Sequence, residues 1–235
     1  QPGGPGGPAA LTPDGTVTRG QSRCLNYGAA APAAQSWKIP VTLKWESGGK
    51  TRTRLVLLDR ERMTVALDGG AGTAPAWIHP NADEAGYYRW SVDSKSLERL
   101  IAAAPAALNP RERIGFIQNA AALLRSGTVR GDQYLQILAG FANDENPLVV
   151  SALAASLTAV KNNFITEPLE ESFAAYVRRL LGPALRRYGL DRAPGEPEAV
   201  SLVRPALIGW RADEGRDEAV LARAEAMARS FLEDR

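Results

Sequence analysis

The chain has 235 residues, 45% of them apolar, enough to build a packed core and to exclude a chain disordered throughout. A net charge of +2 gives the total no electrostatic case for nucleic acid or an anionic membrane. One cysteine, Cys24, excludes an internal disulfide and a cysteine-rich zinc site.

No apolar run reaches the roughly 18 residues of a membrane span. The chain starts at Gln1, without an initiator methionine, a charged leader or a hydrophobic leader. The expectation is that something upstream was removed, or that the chain is cut from a longer protein. The opening "QPGGPGGPAALTPDG" is too rich in Gly, Pro and Ala to order itself and reads as loop or loosely docked chain over its first dozen residues. "GTVTRGQSR" follows the Asp14-Gly15 turn signal as a short strand.

"SWKIPVTLKW" alternates Trp37, Ile39, Val41 and Leu43 against Lys38, Thr42 and Lys44, a half-buried strand. Pro40 belongs at an edge or bulge, because it cannot donate to a ladder. "SGGK" is a turn and "TRTRLVLLD" the hairpin partner; "RMTVAL", "AWIHP" and "GYYRWSV" supply further strands. Many short strands with Gly-rich turns over residues 1–93 describe a β-sandwich domain.

Beyond Asp93 the period becomes helical. Segment 94–104 opens the series. In "LNPRERIGFIQNAAALLRSG", Asn109 is the N-cap, Pro110 the first helical residue, Glu112 the capping-box acid and Gly127 the stop. Ile114, Ile117, Ala121 and Leu124 share the expected buried face. Helices are predicted over 132–142, from Asn146-Pro147, and over 168–189, 197–211 and 215–233, with Pro183 and Pro205 breaking or kinking theirs. The two Asn-Pro starts, at 109 and 146, fit stacked helix pairs. The expected fold is all-β plus all-α in two domains: a sandwich over 1–93 and an α-α superhelical, helical-repeat-like domain over 94–235.

The segment "AWIHPNADEAGYYRW", residues 76–90, gathers the single histidine with Asp83, Glu84, Tyr87, Tyr88 and Trp90. A hydrolytic zinc site usually takes three protein ligands, two of them commonly histidines, so His79 reads as a structural loop residue between strands. Asp83 and Glu84, adjacent in sequence, would point to opposite faces of a strand, and "NADEAG" reads as a turn. Tyr88 and Trp90 are assigned to the core. Arg178-Arg179 and Arg186-Arg187 flank Pro183; a grip on an acidic partner, a peptide carboxylate or a phosphate is weighed against a solvated face, which the nearby Glu167, Glu170 and Glu171 favour. "RSGTVRG" lacks the spacing of a phosphate loop.

The order of "QPG" at the start, "QSR", "SWKIPVTL", "WIHPNADEAGYYRW" and "LNPRERIGFIQNAAALLRSG" resembles zinc aminopeptidases of the aminopeptidase N and puromycin-sensitive type. Trp37, Ile39 and Pro40 match that family's first strand motif, and Asn81, Gly86, Tyr87, Tyr88 and Arg89 its second. Arg113, Gly127, Val203 and Arg204 fall where its later helices carry similar residues. Cys24 departs from the pattern, standing where an aromatic often follows, and the helical part is shorter than usual. The family's H-E-x-x-H, downstream Glu and Gly-x-Met-x-Asn segments are absent. No catalytic, metal or substrate-binding residue is carried over.

The resemblance implies a C-terminal fragment of an enzyme that removes N-terminal residues from peptides through a zinc-activated water. The expected role of the fragment is a non-catalytic scaffold that spaces domains and roofs the peptide cavity. It implies zinc in the parent and no cofactor in this chain. Its expected partners are the upstream catalytic domain and, in the parent, peptide, with no nucleic acid and no membrane span. The alternatives are a stand-alone helical-repeat peptide or protein interaction module and a nucleic-acid binder using the arginine pairs.

Overall fold

The computed structural model describes residues 8–11, 16–21, 37–67 and 74–233. The Asp14-Gly15 turn, Cys24 and the Gly-rich turn at 68–73 lie outside the described residues. The architecture is mixed, strands first and helices after, in two compact units, Gln1–Ile137 and Leu138–Arg235. Strands thus end near residue 93, as the change of period indicates, while the helices immediately after them belong to the same compact unit.

In the first unit, strands β1 (Pro8–Leu11), β2 (Thr16–Gly20), β5 (Arg62–Ala66) and β7 (Ser91–Val92) form one sheet in the order β5-β2-β1-β7. Strands β3 (Ile39–Ser47), β4 (Lys50–Leu58) and β6 (Trp77–His79) form the other, in the order β4-β3-β6. For Pro8–Leu11, the described part of the opening dozen, β1 replaces the loop or loosely docked chain expected there. It pairs antiparallel with β2 and parallel with β7, and those ladders satisfy backbone groups that a low-complexity composition says nothing about. β3 alternates as its sequence predicts, with Val41, Leu43, Trp45 and Ser47 buried. At Pro40 it has a neighbour on one side only, because β6 covers just Lys44, Trp45 and Glu46.

"GYYRW" is not a strand; only Ser91 and Val92 pair. Its backbone is satisfied by side chains instead. Asn119 accepts from the Trp90 amide at 3.0 Å and donates to the Trp90 carbonyl at 2.7 Å. Asn81 accepts from Gly86 N at 2.9 Å and donates to Gly86 O at 3.0 Å. Local amide bonds of this kind compete with a ladder and here they win.

Helices α1 (Ser94–Ala107) and α2 (Pro110–Arg125) complete the first unit, and α3 (Gly131–Gly140) leads out of it. The Asn109 side chain and Glu112 form the expected capping box, and Gly127 takes a positive φ just past α2. The Arg113 guanidinium donates to the Leu108 carbonyl at 2.7 Å and to Pro105 O at 3.1 Å, closing the end of α1. The buried face of α2 is not the predicted one. Glu112, Gly115, Phe116, Asn119, Ala120 and Leu123 are buried with Ile117, whereas Ile114, Ala121 and Leu124 are only half-buried. Two polar members shift that face around the helix.

The second unit holds α4 (Pro147–Phe164), α5 (Glu170–Tyr188), α6 (Glu198–Gly209), a π turn over Trp210–Glu214, and α7 (Glu218–Glu233). Asn146 caps α4 by accepting from Leu148 N at 3.0 Å. α4 packs on α5 and α6, and Val150, Leu153, Leu157, Val177, Leu181 and Leu207 on these helices are buried. Neither Pro183 nor Pro205 breaks its helix, contrary to the break the sequence offered as one outcome. Buried Leu180, Leu181, Ala184 and Leu185 hold α5 on both sides of Pro183, so tertiary packing outweighs one lost ladder bond. The end of α5 is held by buried Arg204, which donates to Tyr188 O at 3.0 Å and Gly189 O at 3.2 Å and pairs with Glu196. The Arg204 guanidinium and the Ser201 hydroxyl bring the Glu196 carboxyl down to about 2, against the opposing effect of burial.

Replacing Asn119 with Ala strands both Trp90 backbone groups in a buried site. Denaturant unfolding of the variant is expected to show a loss of about 3 kcal/mol, the cost of two unpaired buried polar groups. A loss below half that value contradicts the assignment.

Candidate functional site

The segment singled out by its chemistry folds against the start of α2. His79 ends β6, opposite Lys44, and is fully buried, so it is a strand residue and not the loop residue expected. Its ring stands edge-on to Trp90 with centroids 5.3 Å apart, and Nε2 lies 3.6 Å from Glu84 Oε1. Asp83 and Glu84 sit in a 3-10 turn, Ala82–Glu84, both with positive φ, so the turn reading of "NADEAG" holds. Tyr88 and Trp90 are core residues, while Tyr87 is 81% exposed and cannot join them in a stacking platform.

Glu112 organises the cluster. Its side chain is 1% exposed and its carboxylate accepts three bonds: from Lys44 Nζ at 2.7 Å, Asn109 N at 2.9 Å and Asp83 N at 3.0 Å. Asn109 Nδ2 in turn donates to Asp83 Oδ1 at 2.7 Å. Burial raises the Glu112 pKa, but the Lys44 ammonium and the two amides outweigh it, and the net direction is downward. Two glycines make the packing possible. A Cβ on Gly115 would lie 1.9 Å from the Glu84 carboxyl carbon, and one on Gly86 would lie 2.0 Å from the Tyr88 ring, whose hydroxyl reaches Pro80 O at 2.7 Å.

Chemically this is a clamp. Among the described residues no group of three His, Cys, Asp or Glu side chains converges as metal ligands. The donor set does not fit zinc: Glu112 is committed to Lys44 and two amides, Asp83 to Asn109, and His79 has only Glu84 beside it. The adjoining cavity, between Trp90, Phe116, Asn119 and Leu123, holds about 80 Å³, too little for a substrate.

The arginine pairs divide by role. Arg187 donates to Asp144 O at 2.8 Å, and Arg178 donates to Gly215 O and lies 3.3 Å from Glu171. Arg179 stacks over Tyr176 with its guanidinium 5.5 Å from the ring centre, and Arg186 is exposed. Lys44, Asn81 and Asn119 escaped the sequence reading as functional candidates, and Glu112 was seen only as a capping acid. The one available signal was polar residues at helical spacing on an otherwise apolar face, Glu112 and Asn119.

A model of the ERAP1-like C-terminal domain matches residues 77–235. The chain belongs to that family. The matched span opens at β6 and takes in the 3-10 turn, Glu112 and every described helix, while Lys44 on β3 precedes it. Tricorn protease-interacting factor F2 of Thermoplasma acidophilum is 28% identical over 72% of this chain and 19% of its own length. Aminopeptidase M1-A of Oryza sativa subsp. japonica is 26% identical over 94% of this chain and 25% of its own. Puromycin-sensitive aminopeptidase of Caenorhabditis elegans is 22% identical over 92% and 23%. The chain therefore spans a quarter or less of these relatives, and its likeness is to the C-terminal portion of M1 aminopeptidases. No described helix is long and apolar enough to cross a membrane.

Glu112 ionised is bound more favourably in the folded chain than in the unfolded one. Its contribution is complete above its ordinary value of 4.5 and is lost as pH falls through the depressed folded value. Glu112→Ala leaves Lys44 without its carboxylate and is expected to cost about 3 kcal/mol at pH 7, with a smaller cost below pH 4, read by denaturant titration at both pH values. Gly115→Ala is expected to cost about 2 kcal/mol by forcing Glu84 out of its place. An unchanged unfolding midpoint for Gly115→Ala contradicts the close contact.

Proposed function

We propose that this ERAP1-like C-terminal domain is the non-catalytic part of a peptide-trimming aminopeptidase. In this reading its two sheets pack as a sandwich that spaces the enzyme's domains. Its helices stack as a superhelical wall over the peptide cavity. Zinc and the upstream catalytic domain belong to the parent enzyme, whose substrates are peptides.

The match of residues 77–235 to the family supports the reading most directly. The chemistry of the clamp is consistent with it. Glu112 and Asp83 are engaged in holding the turn to α2, and Glu84, nearest to His79, accepts from Asn81 within that turn. A scaffold requires only that this junction be rigid, and a buried lysine–glutamate pair with amide donors supplies that.

The purified chain, incubated with zinc and an aminoacyl fluorogenic amide, is expected to show turnover no higher than a mock-purified control. Turnover well above that control, abolished by a chelator, overturns the scaffold reading.

A further inference from the structure

Positive charge collects around one face of α5. Arg179, Pro183 and Arg186 recur at helical spacing on it. With Arg178, Tyr176 and Asn143 they line a cavity of about 430 Å³, a volume typical of small-molecule sites. No Asp or Glu belongs to its lining.

Two of the nearby guanidiniums have counter-charges. Arg178 has Glu171 at 3.3 Å, and Arg211 has Asp217 and also donates to the Arg178 carbonyl. Arg179 and Arg186 have no carboxylate within ion-pair distance among the described residues; Arg179 has only the Tyr176 ring. The chain also brings like charges together here. A Cβ on Gly182 would lie 3.0 Å from Arg211 Nη1 and 3.2 Å from Arg186 Nη1, so two guanidiniums meet over the one residue that has no side chain. Burial, with Arg178 and Arg186 nearby, lowers the affinity of Arg211 for its proton. A concave surface lined by one sign of charge focuses its field and raises the local concentration of counter-ions.

We propose that this cavity is a binding site for a compact polyanion bearing several phosphate or carboxylate groups, held by Arg179 and Arg186 with Arg178 at its side. The planar guanidinium fork suits both groups, donating to two oxygens at once. The Tyr176 ring, 5.5 Å from the Arg179 guanidinium, favours a cation held at that edge of the cavity. The site is independent of the aminopeptidase reading, since nothing in it depends on peptide cleavage.

Calorimetric titration of the full chain with tripolyphosphate, and separately with citrate, at fixed ionic strength tests the proposal. Saturable binding of at least one is expected, weakening as salt is raised. The arm that saturates identifies phosphate or carboxylate as the preferred group. The double variant Arg179→Gln, Arg186→Gln is expected to bind about tenfold or more weakly, two charge-assisted contacts being lost. Arg229→Gln, an exposed arginine on α7, is expected to bind as the parent chain does. Should the double variant fail to fold by circular dichroism, Arg186→Gln alone replaces it, with several-fold weakening expected. Absence of saturable binding by both anions, or equal binding by the folded arginine variant and the parent chain, overturns the proposal.

Discussion

A carboxylate taken out of water must find donors, and the way Glu112 finds them organises the first unit. Lys44 comes from the middle of β3, the Asp83 amide from the 3-10 turn, and the Asn109 amide from the cap of its own helix. Three stretches of chain far apart in sequence are thereby fixed to one another. An ionised carboxylate with fewer donors would cost several kcal/mol, so the arrangement is favourable only when all the pieces are present together. That all-or-none character is what a junction between strands and helices needs. Asn119 extends the same logic about two turns further along α2, taking both backbone groups of Trp90.

The second unit solves a similar problem at a helix end. The last carbonyls of α5 have no amides to receive, and Arg204 of α6 supplies guanidinium donors to two of them while its charge is balanced by Glu196. The pair is buried, and Ser201 adds a hydroxyl bond to the same carboxylate. In both units, then, a carboxylate paired with a cation ties the start or end of a helix to a neighbouring segment that apolar packing brings close.

Much of this was legible in the residues. Asn109, Pro110 and Glu112 announce a helix start by local chemistry alone, and the structure contains that capping box. The alternation of Val41, Leu43 and Trp45 announces β3 for the same reason: burial on one face of a strand leaves a period of two. What hydropathy could not show is that polar residues face inward. Reading α2 by its apolar positions put Ile114, Ala121 and Leu124 on the buried face. The true face is set by Glu112 and Asn119, whose partners lie on distant segments. "GYYRW" was misread as a strand for the same reason, since nothing in the local sequence tells that Asn119 satisfies its backbone. The lack of ligand types in the sequence gives His79 a structural reading but says nothing of the indole edge and the carboxylate beside it. The family motifs pointed to the right relatives because they span the segments that the clamp joins.

Asp83 and Glu84 both hold the left-handed backbone conformation without being glycine, with φ of 56° and 50°. Each residue there gives up about 1 kcal/mol relative to an ordinary conformation. The offset comes from outside the turn, through the Glu112 carboxylate and the Asn109 amide. Such a turn has no reason to exist in an isolated peptide of the same sequence. Its conformation is therefore conditional on the first turn of α2 lying against it, so whatever loosens that helix start releases the loop as well.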